Sequence, residues 1–137
     1  MSLIQLINFD VKGDERGLLV ALESNSNVPF DIKRVYYVFD TKGGVVRGCH
    51  AHKEIKQVAV CVHGHCRMLM DDGISKADVV LDSPELGIFI DRLQWHEMHD
   101  FSEDCVLLVL ASDYYHESDY IREYDDFIKR VNSHVHP

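Results

Sequence analysis

The feature that most constrains this chain is its punctuation. Short apolar or alternating runs are broken by Gly, Asp, Asn or Pro about every 8–12 residues, the spacing of a β-sandwich or barrel. The runs are RGLLVALES (16–24), KRVYYVF (33–39), KQVAVCVH (56–63), HCRMLMD (65–71), ADVVLD (77–82), GIFI (87–90) and DCVLLVLAS (104–112). In the third, Val58, Val60 and Val62 alternate with Gln57, Ala59 and Cys61, so the two sets face opposite sides of a strand. The last run is apolar throughout and reads as a strand buried on both faces. Asp72-Gly73 marks a hairpin turn. The period changes only near the end. Tyr120, Ile121, Tyr124, Phe127, Ile128 and Val131 fall at helical spacing, predicting one amphipathic helix over about 118–131 with Ser118 as N-cap and Asp119 in the first turn. Residues 132–137 carry no pattern and are expected to fray. The fold class expected is all-β, with one C-terminal amphipathic α-helix packed on the barrel, in a single domain over 1–137.

A chain of 137 residues suits one core. Its net charge of −9 and lack of a basic face argue against nucleic acid. A locally positive pocket for a small anion remains compatible with that charge. No apolar run approaches the 18 or so residues of a membrane span. The opening MSLIQLINFD lacks a secretory signal pattern, so the expected location is cytoplasmic. The four cysteines, at 49, 61, 66 and 105, show no CxxC and read as reduced, mostly buried thiols. In CVHGHC, a turn at His63-Gly64 sets Cys61 opposite Cys66 and leaves His63 and His65 at its tip. That is not the paired-knuckle arrangement of a closed zinc site.

VVRGCHAHKEIKQ (45–57) carries the chemistry. His50 and His52 are two apart, so on a strand they project to one face. Two imidazoles on one inward face need polar partners. Imidazole titrates near neutrality and suits proton transfer. Arg47 lies three residues before His50. Arg34 and Tyr36 share a strand face, while Tyr37 points the other way and is assigned to packing. Each of Arg16, Arg34, Arg47 and Lys53 can hold phosphate, arginine bidentately and lysine as a point charge.

GCHAH, Gln57, Gly64, Gly87 and His96 resemble the two motifs of a cupin. Metal-binding cupins supply two histidines and a glutamate from the first motif and a histidine from the second. Here position 57 is Gln, a neutral amide and a poor ligand for a transition metal. Glu54 comes too early in the spacing. The stretches KRVYYVFDTKG, RGCHAHK, VLDSPELGIFI, WHEMHDFS and VLASDYYHESDYIREYD together resemble the dTDP-4-keto-6-deoxyglucose 3,4-ketoisomerases, WxcM-like cupins with an RmlC-like fold. The resemblance spans about Arg16 to Phe127. It implies a cupin jelly-roll β-barrel and an isomerase of deoxyamino-sugar biosynthesis. The enzyme would move a ketone from carbon 4 to carbon 3 of dTDP-4-keto-6-deoxyglucose through an enediol(ate), with no cofactor and no metal. It also implies a homodimer with strands exchanged between subunits, which would bring Arg16 near the partner's site.

The residues assigned on this basis are His50 as the base at carbon 3, with His52 and Tyr36 as the other catalytic groups. Arg16, Arg34, Arg47, Lys53, Gln57, Trp95 and His96 are assigned to substrate binding. Trp95 either stacks on thymine, closes the pocket or packs in the core. Glu97 and Asp100 are assigned to orienting imidazoles. RGCHAHK and MDDG lean toward a galacto product. Three other readings stay open: a metal-dependent cupin enzyme, a dTDP-sugar 3,5-epimerase and a nucleotide-sugar-binding cupin without turnover.

Overall fold

The computed structural model describes residues 3–135. Two five-stranded antiparallel sheets face each other. The first runs β1 (Gln5–Asn8), β9 (Leu86–Ile90), β6 (Gln57–His63), β11 (Val106–Ala111), β4 (Arg34–Val38). The second runs β12 (Tyr120–Ile121), β5 (Arg47–His52), β10 (Trp95–His99), β7 (Cys66–Asp71), β8 (Lys76–Leu81). A separate hairpin pairs β2 (Lys12–Asp14) with β3 (Gly17–Leu19). The all-β class is as expected, with the barrel built as two packed sheets.

Alternation explains the layers. Ala59, Cys61, Leu107 and Val109 of the first sheet meet Cys66, Met68, Met70 and Met98 of the second in the central core. The opposite faces of β6 and β11 are buried as well, because Val58, Val60 and Leu110 pack under the segment carrying Val28 and Phe30. The double-sided burial read from the apolar run at 104–112 thus has a physical cover.

Three elements differ from expectation. In 16–24 only Gly17–Leu19 pairs as a strand; Val20 and Leu22 instead lie over the outer core. The helix, α1, spans Tyr124–Val135, starting later and ending later than expected. Residues 117–119 form a 3-10 turn, so Ser118 is no α-helix cap, and Asp119 is not in the first turn. Tyr120 and Ile121 pair with His52 and Ala51 of β5. Neighbours on opposite faces satisfy a strand as well as a helix stripe. Ile121 joins Phe127 and Val131 against Ala51 and Trp95, while Tyr120 turns to the other side. Asp125 and Asp126 occupy the first turn of α1, where the helix dipole favours acids. The fraying expected for 132–137 is replaced by helix through Val135, and residues 136 and 137 lie outside the described residues. No helix among the described residues is long and apolar enough to cross a membrane.

Candidate active site

The site follows from strand register. His50 and His52 share the inner face of β5. On one side β10 places His96 directly opposite His50, and on the other β12 places Tyr120 opposite His52. The rings meet: centroids are 4.6 Å apart for His50 and His96, 4.9 Å for His50 and His52, and 5.9 Å for His52 and His96. Tyr120 covers His50 at 4.8 Å and His52 at 4.5 Å. A bulge sets the approach. Gly48 (φ 81°) and Cys49 (φ 58°) are both left-handed, and a Cβ on Gly48 would lie 3.0 Å from the His96 carbonyl oxygen.

Each imidazole is oriented by what its Nδ1 meets. Nδ1 of His50 lies 3.0 Å from the Gly48 carbonyl oxygen, and Nδ1 of His96 lies 3.2 Å from that of Gln94. Nδ1 of His52 lies 3.0 Å from an Asp119 carboxylate oxygen. Carbonyls accept and cannot donate, so Nδ1 of His50 and His96 carries the hydrogen; an ionised Asp119 sets the same tautomer on His52. That leaves three Nε2 lone pairs, all buried and without a hydrogen-bond partner. Burial holds the His50 imidazolium down to a pKa of about 4, helped by the nearby His52. Burial also lowers His52, against the pull of Asp119, and lowers fully buried His96 well below its usual value. Neutral bases are therefore the resting state.

The first sheet supplies the facing wall. Gln57, fully buried, donates from Nε2 to the Tyr36 hydroxyl at 3.1 Å, leaving the Tyr36 proton to be given elsewhere. Its own Oε1 has no partner, nor does Nη1 of Arg34. The Arg34 guanidinium lies 4.6 Å from the Tyr36 ring centroid and 5.3 Å from that of Tyr115. Burial raises the Tyr36 pKa, opposed by the Gln57 hydrogen bond and by the charges of Arg34 and Arg47. The structure thus brings His50, His52, His96, Tyr36, Gln57 and Arg34 together, with exposed Arg47 within electrostatic reach.

Other assigned residues lie elsewhere. Trp95 sits on the opposite face from His96, under α1, with Tyr124 at 5.2 Å and Phe127 at 5.7 Å. This is the core-packing alternative, and its Nε1 donates to Glu97. Glu97 and Asp100 orient none of the three cavity imidazoles: Glu97 pairs with His99 and Asp100 with Arg67. Lys53 lines an outer cleft of about 860 Å³ with Tyr120, Arg122, Lys129 and Arg130. Arg16 is bound to Asp14 at 2.7 Å on the exposed hairpin, outside this chain's own cavity. Tyr37 is 62% exposed, with its ring centroid 5.9 Å from that of Phe39.

Sequence reasoning missed Asp119 and Tyr120. Asp119 accepts from His52 and also from the backbone N–H groups of Glu54 at 2.8 Å and Ile55 at 3.3 Å. The available signal was a carboxylate in a segment rich in tyrosine, and helical spacing hid it.

One nitrogen from each of His50, His52 and His96 lies within 4.8 Å of the others, so this set is the one able to hold a metal in the cavity. The donor set is neutral, with an amide where cupins place a carboxylate, and Arg34 stands beside it. The nearest carboxylate, Asp119, stands behind His52 on Nδ1 and is not itself one of the donors, so the set compensates a dication only weakly.

Residues 2–132 match the model of the family described as "WxcM-like, C-terminal", FdtA. The chain belongs to this family. It is 58% identical over 127 residues to a TDP-4-oxo-6-deoxy-alpha-D-glucose-3,4-oxoisomerase of Aneurinibacillus thermoaerophilus, covering 93% of this chain and 91% of the relative. A 3,4-ketoisomerase from Helicobacter canadensis superposes with a TM-score of 0.91 at 47% identity, over 94% of this chain and 97% of that one. A histidine-to-asparagine variant of the 3,4-ketoisomerase QdtA from Thermoanaerobacterium thermosaccharolyticum was solved in complex with TDP-4-keto-6-deoxyglucose. It superposes at 0.94 with 39% identity, over 100% of this chain and 99% of the other.

Proposed function

We propose that this WxcM-like chain is a sugar-nucleotide 3,4-ketoisomerase that converts TDP-4-keto-6-deoxyglucose to the 3-keto isomer by acid–base chemistry alone. The observation that carries the reading is the convergence of three basic Nε2 atoms on one cavity that also holds the Tyr36 hydroxyl. The relatives named above supply the substrate class.

The hydrogen on carbon 3 is acidified by the neighbouring ketone. His50 Nε2 takes it, and the electron pair forms the carbon 3–carbon 4 double bond while negative charge gathers on oxygen 4. Tyr36 donates to that oxygen, and Arg34 steadies the charge. His52 or His96 accepts the proton from the hydroxyl on carbon 3, whose oxygen becomes the new carbonyl. The His50 imidazolium exchanges its proton with solvent and protonates carbon 4, and the proton held by His52 or His96 passes back to Tyr36, which restores the starting state. A base with pKa about 4 is weak, but its conjugate acid is strong. The enediolate's charge stabilises the imidazolium while the two coexist.

A second reading, a metal-dependent cupin, rests on the three histidine nitrogens within 4.8 Å. The test is turnover of TDP-4-keto-6-deoxyglucose, followed by proton NMR, before and after exhaustive chelation. The isomerase reading expects a 3-keto product at an unchanged rate. Loss on chelation and recovery with a divalent ion would establish the metal enzyme instead. The coupling at carbon 4 reports whether the product has the galacto configuration, as the RGCHAHK stretch leads us to expect.

The reading extends to a homodimer working in the cytoplasm. Leu18 (79% exposed) and Leu19 follow Arg16 on the hairpin, and Val35 and Tyr37 of edge strand β4, with Phe39 just beyond its end, are exposed. Covering such a surface with a second copy would bury apolar area. An exchanged hairpin would carry Arg16 to the partner's cavity.

A further inference from the structure

Cys61, Cys66 and Cys105 meet in the core, far along β6 from the histidine cavity. Gln57 and Cys61 share the inner face of that strand four residues apart, a separation of about 13 Å. The Cys61 Sγ lies 3.6 Å from that of Cys66, across the His63–His65 turn, and 3.6 Å from that of Cys105. All three sulfurs lie within 4.8 Å of one another, and all three residues are buried. Ala59, Met68, Leu81 and Leu107 belong to the same apolar cluster.

We propose that these three thiols form a binding site for a trivalent, thiol-seeking metalloid hydroxide such as arsenite. Sulfurs bonded to one small atom at about 2.3 Å stand about 3.5–3.8 Å apart, so the two 3.6 Å separations already fit and the third, within 4.8 Å, needs at most a modest closure. Charge chooses among soft ligands. Three thiolates on Zn²⁺ leave a net charge of −1, and on Cu⁺ a net charge of −2; an apolar core penalises either. Arsenic(III) bound by three thiolates is neutral. In the exchange, three arsenic–oxygen bonds break and three arsenic–sulfur bonds form. Each thiol proton leaves with one hydroxide as water, and arsenic stays trivalent, so no oxidant or reductant is required. The Cys66 hydrogen bond and burial raise the Cys61 thiol, and burial raises that of Cys105, which discourages free thiolate, but this exchange ends with no charge to bury. Entry follows local opening of the turn, which Ser102 Oγ holds through the His65 N–H at 2.9 Å.

The bound atom would staple β6, β7 and the start of β11, joining the two sheets. Binding to the native state alone raises apparent stability by mass action. The test incubates the full-length protein with arsenite in thiol-free buffer. X-ray absorption at the arsenic edge is expected to show one arsenic per chain with three sulfur neighbours and no oxygen. The melting temperature is expected to rise with arsenite concentration. Cys66→Ala and Cys105→Ala are each expected to weaken binding by about tenfold or more. Arsenic that keeps oxygen neighbours, or does not bind the wild-type protein, would overturn the proposal, and that readout needs no variant to fold. Zinc bound by the same three sulfurs at comparable affinity would overturn the charge argument on which the assignment rests.

Discussion

At the residue scale, His50 and Asp119 carry opposite kinds of role. Replacing the base by His50→Asn is expected to lower kcat about 10²–10⁴-fold while leaving substrate affinity within a few-fold, read by steady-state kinetics and calorimetry. Asp119 touches no substrate in this scheme. Asp119→Asn keeps the shape but removes the charge that fixes the Nδ1–H tautomer of His52. A fall in kcat with little change in KM is expected, together with an altered His52 ring ¹⁵N spectrum; an unchanged spectrum would reduce Asp119 to a structural group. The depressed His50 pKa also sets a pH dependence. Between the ordinary value of 6.5 and about 4, the unfolded chain binds a proton that the native site refuses. The contribution to stability is complete above pH 6.5 and is lost as pH falls through that window. Urea midpoints at pH 7.5 and pH 5 are expected to differ more for the wild type than for His50→Asn. The HxH pair, Gln57 and His96 were legible because period-2 alternation and motif spacing place them on inner faces. Asp119 was not, because its partners lie more than sixty residues earlier.

At the element scale, β5 is the piece that tolerates least. Gly48→Ala would force a side chain onto a left-handed residue 3.0 Å from the His96 carbonyl oxygen, at a cost of about 1–2 kcal/mol from the backbone alone. It would also shift His50 against His96, so loss of activity is expected to exceed what the change in urea midpoint implies. Phe127 is fully buried between Trp95 and Tyr124 and pins α1 to the back of the second sheet. Phe127→Ala is expected to cost about 3–5 kcal/mol, measurable by chemical denaturation. Most strands were readable from alternation and turn residues. The start of α1 was not, because Tyr120 and Ile121 fit both periods and the β5 edge, a non-local partner, claimed them.

At the scale of the whole molecule, the cavity of one chain lacks Arg16, which stands 85% exposed on its hairpin. If the hairpin is exchanged, Arg16→Ala and His50→Asn fail in different subunits of the same site. Co-expressed chains bearing one change each are then expected to regain activity in the mixed dimer, where one cavity is intact; two dead homodimers that stay dead on mixing would place Arg16 outside the site. The resemblance of the sequence reached this expectation where spacing alone could not, since an exchanged strand leaves no local signature.

The most direct measurement is proton NMR of TDP-4-keto-6-deoxyglucose with the wild type and with His50→Asn in deuterated buffer. The account predicts a 3-keto product carrying solvent deuterium at carbon 4 with the wild type, and an untouched substrate with the variant. A ketone that stays at carbon 4 while deuterium enters at carbons 3 and 5, or a variant as active as the wild type, would contradict it.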